Sequence, residues 1–102
     1  MDLSQYMELF LAESDEHLEN INDHLLLLEK EPTNTRVLNE IFRSAHTLKG
    51  MAATMRLERI TALTHEMETA LTLLKEGMVA VTPQVIDLLL KCLDSLNAMM
   101  GG

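Results

Sequence analysis

The sequence predicts an all-α fold, an antiparallel up-down-up-down four-helix bundle. Three observations carry that expectation. Apolar residues recur at spacings of three and four through four separate runs, which marks amphipathic helices. Proline occurs twice and glycine four times, mostly between those runs rather than inside them. Strand-like sequence is confined to Met78-Val79-Ala80-Val81, too isolated to find a pairing partner, so it reads as a connection. Four such helices with short loops bury their apolar stripes by packing as antiparallel neighbours.

The first helix is expected over residues 3–30. Leu3, Tyr6, Phe10, Leu18, Ile21, Leu25 and Leu28 form its stripe, with a gap at Ser14. Asp2 is the expected N-cap, and Gln5, three residues on, completes a capping-box pattern. At 1.5 Å per residue this helix is a rod of roughly 40 Å. Pro32 stops it, and Thr33, Asn34 and Thr35 offer the next cap. The second helix, 35–55, carries Leu38, Ile41, Ala45, Leu48, Ala52 and Met55. The third, 57–76, carries Ile60, Leu63, Met67, Leu71 and Leu74, with Gly77 as its stop. The fourth, 83–100, opens on an N-cap and a first-turn proline, Thr82-Pro83. Its stripe is Val85, Ile86, Leu89, Leu93, Leu96 and Met100. The methionines on these stripes read as core gap-fillers. Residues 1–102 make one domain, and the ending Met99-Met100-Gly101-Gly102 is expected to be a cut from a longer protein in which a further helix follows.

Composition narrows the function. Sixteen acidic residues against eight basic ones give a net charge of −8. Phosphate contacts dominate nucleic-acid affinity, so a nucleic-acid partner is not expected, and neither is an anionic membrane surface. No apolar run exceeds four residues, far short of a bilayer span, so membrane insertion is not expected. The N-terminus lacks a basic stretch followed by an apolar run, so no signal peptide is expected. The single cysteine, Cys92, cannot form an internal disulfide and fits a reducing compartment. A cytoplasmic location follows as an expectation.

The chemistry concentrates at His46-Thr47-Leu48-Lys49-Gly50. His46 lies roughly 130° from the centre of the second helix's apolar stripe, hence on the outer face. Lys49 falls between the stripe and His46, Phe42 forms an apolar wall one turn back, and Gly50 lies beside the histidine. A glycine inside a helix costs about 1 kcal/mol relative to alanine, so its presence suggests clearance for something bulky. On the third helix His65 and Glu68 are neighbours three residues apart. The turn near Arg56 makes the two helices antiparallel neighbours. His46 is ten residues before Arg56 and Glu68 twelve after it, which brings them to similar heights. His46, Lys49, His65 and Glu68 are therefore expected on one face. His17 and His24, beside the stripe of the first helix, read as boundary residues.

A carboxylate that accepts from imidazole Nδ1–H fixes the tautomer and leaves Nε2 as the free nucleophile. Lys49 supplies a cation for an arriving anion, and His65 a further donor. The set fits a histidine that receives and passes on a phosphoryl group. No nucleotide-binding loop or Mg²⁺-binding carboxylate cluster accompanies it, so donor and acceptor are expected on other domains. Two other uses stay open. One is a metal site of histidines and carboxylates on facing helices, which the outward direction and Lys49 disfavour. The other is a structural, oligomerising bundle.

The stretch Phe42-Arg43-Ser44-Ala45-His46-Thr47-Leu48-Lys49-Gly50-Met51-Ala52-Ala53-Thr54-Met55 resembles the phosphorylation-site helix of histidine phosphotransfer domains. More closely, it resembles the N-terminal domain of the CheA family of bacterial chemotaxis kinases. The likeness runs over almost the whole chain, through Leu26-Leu27-Leu28-Glu29-Lys30 and His65-Glu66-Met67-Glu68. It implies that His46 is phosphorylated on Nε2 by the ATP-binding kinase domain of a partner subunit. It implies further that the group passes to an aspartate of a response regulator of the CheY or CheB type. The residue matching Glu68 would hydrogen-bond the imidazole, with Lys49 and His65 lining the site. ATP and Mg²⁺ would be held by the separate kinase domain, so that this domain is a carrier within a histidine protein kinase and needs no cofactor of its own. One departure is Arg56, where the family usually has glycine. A left-handed backbone there would cost a non-glycine residue about 1 kcal/mol.

Overall fold

A computed structural model describes residues 2–101; Met1 and Gly102, the ends of the expected domain, lie outside them. The described residues form α1 (Leu3–Lys30), α2 (Thr35–Thr54), α3 (Glu58–Lys75) and α4 (Pro83–Met99). No strand occurs among them, and residues 78–81 are a connection as expected. Each helix packs on its neighbour in sequence and α4 closes back on α1, so the pairs α1–α3 and α2–α4 are diagonal. The bundle measures 44 × 21 × 20 Å, its long axis set by α1.

Caps decide the helix starts. Asp2 and Gln5 exchange the two bonds of a capping box at 2.9 Å each. Of the three candidates before α2, Asn34 is the cap, accepting from Val37 N–H at 3.2 Å. Thr82 caps α4 in the same way through Val85 N–H, with Pro83 following it. The ends of α2, α3 and α4 differ from expectation by one residue. α2 stops at Thr54 rather than Met55, α3 runs Glu58–Lys75 rather than from 57 to 76, and α4 stops at Met99 rather than Met100. Left-handed turns impose these stops. Arg56 takes φ 58°, its N–H reaching Ala53 O while Leu57 N–H reaches Ala52 O. Gly77, at φ 74°, builds the same motif with Leu74 and Leu73, here at no steric cost.

The interior is mostly the expected stripe: Ile21, Leu25 and Leu28; Ile41, Ala45, Leu48 and Ala52; Met67 and Leu71; Ile86, Leu89, Leu93 and Leu96. Three expectations are corrected. Leu3 and Tyr6 are exposed: Leu3 is the first residue of α1, and Tyr6 stands at the rim of the bundle beside Met51 and Met55 at the end of α2. Leu63 is half-buried, and Thr64 takes the buried position, its hydroxyl donating to Ile60 O at 2.8 Å. Among the described methionines only Met67 is a core residue. Met7, Met51, Met55 and Met100 lie half-buried near helix ends, and Met78 and Met99 are exposed. The gap in the α1 stripe closes on itself: Ser14 is buried there, with its hydroxyl unpartnered. Between α1 and α2 the buried Ser44 accepts from Asn20 Nδ2 at 2.6 Å.

Candidate functional site

The best-packed pair, α2 and α3, carries the candidate site on its outer groove. His46 projects from α2 with 63% of its side chain exposed. Its Nδ1 is hydrogen-bonded to Glu68 Oε2 on α3. The other carboxylate oxygen, Oε1, accepts from Lys49 Nζ at 2.8 Å. Glu68 itself is largely covered, with 14% of its side chain exposed. Burial pushes its carboxyl pKa up, but the hydrogen bonds and charges of Lys49 and His46 outweigh burial and hold it below the ordinary 4.5. An ionised carboxylate only accepts, so Nδ1 carries a proton, and in the neutral ring the free lone pair is then on Nε2.

Three of the four expected residues thus meet. His65 stands one turn before Glu68 on the same helix, exposed, and its ring lies outside the hydrogen-bonded set. Gly50 is on the exposed side of α2, and a Cβ built there meets nothing within 4 Å, so the bundle's own packing does not require glycine. Phe42 flanks His46 as expected, the rings nearly parallel at 9° with centroids 6.2 Å apart. One neighbour escaped the sequence reading: Lys75, whose ammonium sits over the Phe42 ring at 4.0 Å from its centroid. A signal for it exists. Phe42 and Lys75 lie seven residues from Lys49 and Glu68 respectively, so the two pairs share one antiparallel register.

Elsewhere the chemistry is poorer. His17 and His24 are half-buried on α1, and His24 Nδ1 lies 2.7 Å from Asn20 O, as boundary residues do. Burial, and the negative charge of Glu66, push the Cys92 thiol up, away from the thiolate form. A concavity of about 530 Å³ between α1 and α4 is lined by Asp15, Glu19, Asp23 and Asp94, on the opposite side of the bundle from His46. Among the described residues no three histidine, cysteine or acidic side chains lie close enough together to hold a metal ion. No described helix is long and apolar enough to cross a membrane.

A four-helix bundle presenting one exposed histidine, held by a covered carboxylate beside a lysine, defines a histidine phosphotransfer module. The family described as Hpt domain matches residues 5–99, and the chain belongs to it. Its relatives are chemotaxis proteins. CheA of Bacillus subtilis (strain 168) is 46% identical over 100 residues, covering 98% of this chain and 15% of that protein. CheA of Listeria monocytogenes is 46% identical over 95 residues, covering 93% of this chain and again 15% of the relative. The chain therefore spans about 15% of the length of these relatives. Among solved structures, the CheA phosphotransferase domain from Thermotoga maritima superposes with a TM-score of 0.95 at 35% identity, covering 99% of this chain and 96% of that one.

Proposed function

We propose that His46 is the phosphoryl carrier of this domain, loaded on Nε2 and unloaded onto an aspartate of a response regulator. The observation that carries this reading is the covered Glu68 carboxylate at Nδ1 of an exposed imidazole, with Lys49 on the same carboxylate. In the loading step the Nε2 lone pair forms the N–P bond as the bond from the γ-phosphorus to the bridging oxygen breaks and ADP leaves. Bonding at Nε2 makes the ring cationic, and Glu68 at Nδ1–H offsets that charge. In the second step an aspartate oxygen forms a P–O bond, the N–P bond breaks and the neutral imidazole returns. The lysine and the open surface at Gly50 fit an anionic group brought by a bulky partner. His65, beside the set, lines the approach.

The donor in this reading is the ATP-binding kinase domain of the same protein, acting from a partner subunit. The acceptors are response regulators of the CheY and CheB type, and the setting is cytoplasmic. Kinship with CheA proteins supports these partners. The test is labelling by an active CheA kinase core with radiolabelled ATP. The His46→Gln variant, folded as judged by circular dichroism, is expected to take up no label. Label in that variant at the wild-type level refutes the assignment.

A further inference from the structure

We propose that Phe42 and Lys75 are positioning residues for the imidazole of His46: Lys75 pins the Phe42 ring, and that ring sets the tilt of the imidazole. The proposal rests on His46 being the carrier. A single hydrogen bond at Nδ1 fixes the tautomer and one direction, but the ring can still swing about the axis of that bond. The direction of the Nε2 lone pair is then undetermined, and His46 is too exposed for packing to hold it. A flat wall on a second side removes that freedom. Phe42 supplies it, one turn back on the same rigid helix and nearly parallel to the imidazole. Phe42 is itself half-buried and packed on the core, so its base is fixed. Its outer part is held by the Lys75 ammonium, an attraction between a cation and the negative face of the ring. The support thus reaches His46 from α3 twice, through Glu68 and through Lys75, two helical turns apart.

The experiment combines phosphorylation kinetics by the kinase core with nuclear magnetic resonance of the His46 ring. Misdirecting a nucleophile acts on the chemical step, so Phe42→Leu is expected to lower kcat about tenfold, with KM for the domain within about twofold of wild type. Lys75→Met keeps the stem and removes the charge; it is expected to lower kcat about threefold and shift the His46 ring-proton signals. Lys75→Arg, which also places a cation on the ring, is expected to restore both. Lys75 is exposed, so its variants carry the test even if Phe42→Leu folds poorly. The proposal is overturned if Lys75→Met leaves kcat and the His46 signals unchanged, if its effect falls on KM alone, or if Lys75→Arg fails to rescue. Labelling of His46→Gln in parallel separates the two failures. Label there removes the carrier assignment, whereas no label with wild-type Lys75→Met kinetics removes only the positioning role.

Discussion

Glu68→Gln is the substitution whose consequences the structure specifies most fully. It preserves shape and one acceptor oxygen but replaces the carboxylate shared by His46 and Lys49 with a neutral amide. An amide oxygen can still accept from Nδ1–H, and whatever is lost equally before and during transfer leaves kcat unchanged. At the transition state the ring gains positive charge, and the missing carboxylate matters more. The increment that appears only as the ring becomes cationic, about 1–1.5 kcal/mol on the scale by which charge-assisted hydrogen bonds exceed neutral ones, corresponds to about a tenfold lower kcat. Glu68 lies behind the histidine and is largely covered, so docking of the kinase domain is expected to be unaffected and KM to stay within about twofold. Lys49 loses its partner while partly exposed, which costs about 0.5–1 kcal/mol of fold stability. The assay is the initial rate of labelling from ATP over a range of domain concentrations, with thermal melting alongside. An unchanged kcat, or a loss confined to KM, would refute the argument that Glu68 acts by holding and compensating the imidazole.

The same carboxylate has a pH signature. Its folded-state pKa lies below the ordinary 4.5, so its contribution to stability is complete above that pH and is lost as pH falls through the folded value. Stability–pH curves of wild type and Glu68→Gln should therefore converge below about pH 4.5, and parallel curves would contradict the shift. Arg56→Gly relieves a left-handed φ of 58° on a residue with a Cβ, and is expected to add about 1 kcal/mol, or about 4–8 °C in Tm, without altering labelling. Ser14→Ala removes a buried, unpartnered hydroxyl and is expected to raise stability by about 1 kcal/mol in urea unfolding; a loss instead would mean that the hydroxyl has a partner. Gly50→Ala is expected to stabilise α2 by about 1 kcal/mol, since the added methyl meets nothing, while raising KM for the partner domain. Unchanged kinetics in that variant would refute the clearance role.

The register of His46 and Glu68 was legible because two strong constraints coincide. Helical periodicity fixes the direction of each side chain, and a turn of three residues between α2 and α3 fixes their relative height. His65 shows where that reasoning stops. Sharing a face with Glu68 does not decide whether an exposed ring finds a partner, because rotamers and not register settle it. Leu3 and Tyr6 show a second limit. Periodicity tells which side of a helix is apolar, but a stripe is buried only where a neighbour covers it. The methionines show a third: spacing assigns them to stripes, yet depth depends on distance from the helix ends. Lys75 was within reach of the register argument but resembles an ordinary basic residue in a last helical turn, where it also suits the helix dipole.

The geometry of the site suits the proposed role of a carrier served by partner domains. An enzyme pocket surrounds the reacting atoms, whereas here the imidazole is largely exposed on the outer side of the α2–α3 pair. Glu68, which bonds the imidazole, Lys49 on the same carboxylate, and Phe42 beside the ring all stand on α2 and α3. That arrangement leaves the Nε2 side to whichever partner arrives, so a donor and an acceptor can use the same approach in turn. On the proposed reading it also makes orientation a contribution of the domain to rate, beside the charge compensation by Glu68. A residue that stiffens the imidazole without meeting either partner should slow loading and unloading by similar factors, because both reactions share the Nε2–P axis. Lys75→Met is the variant to ask. If it slows transfer from the kinase core and transfer to the response regulator alike, orientation is common to both steps. If it slows only one, Lys75 meets that partner directly, and the wall beside His46 is held by Phe42 packing alone.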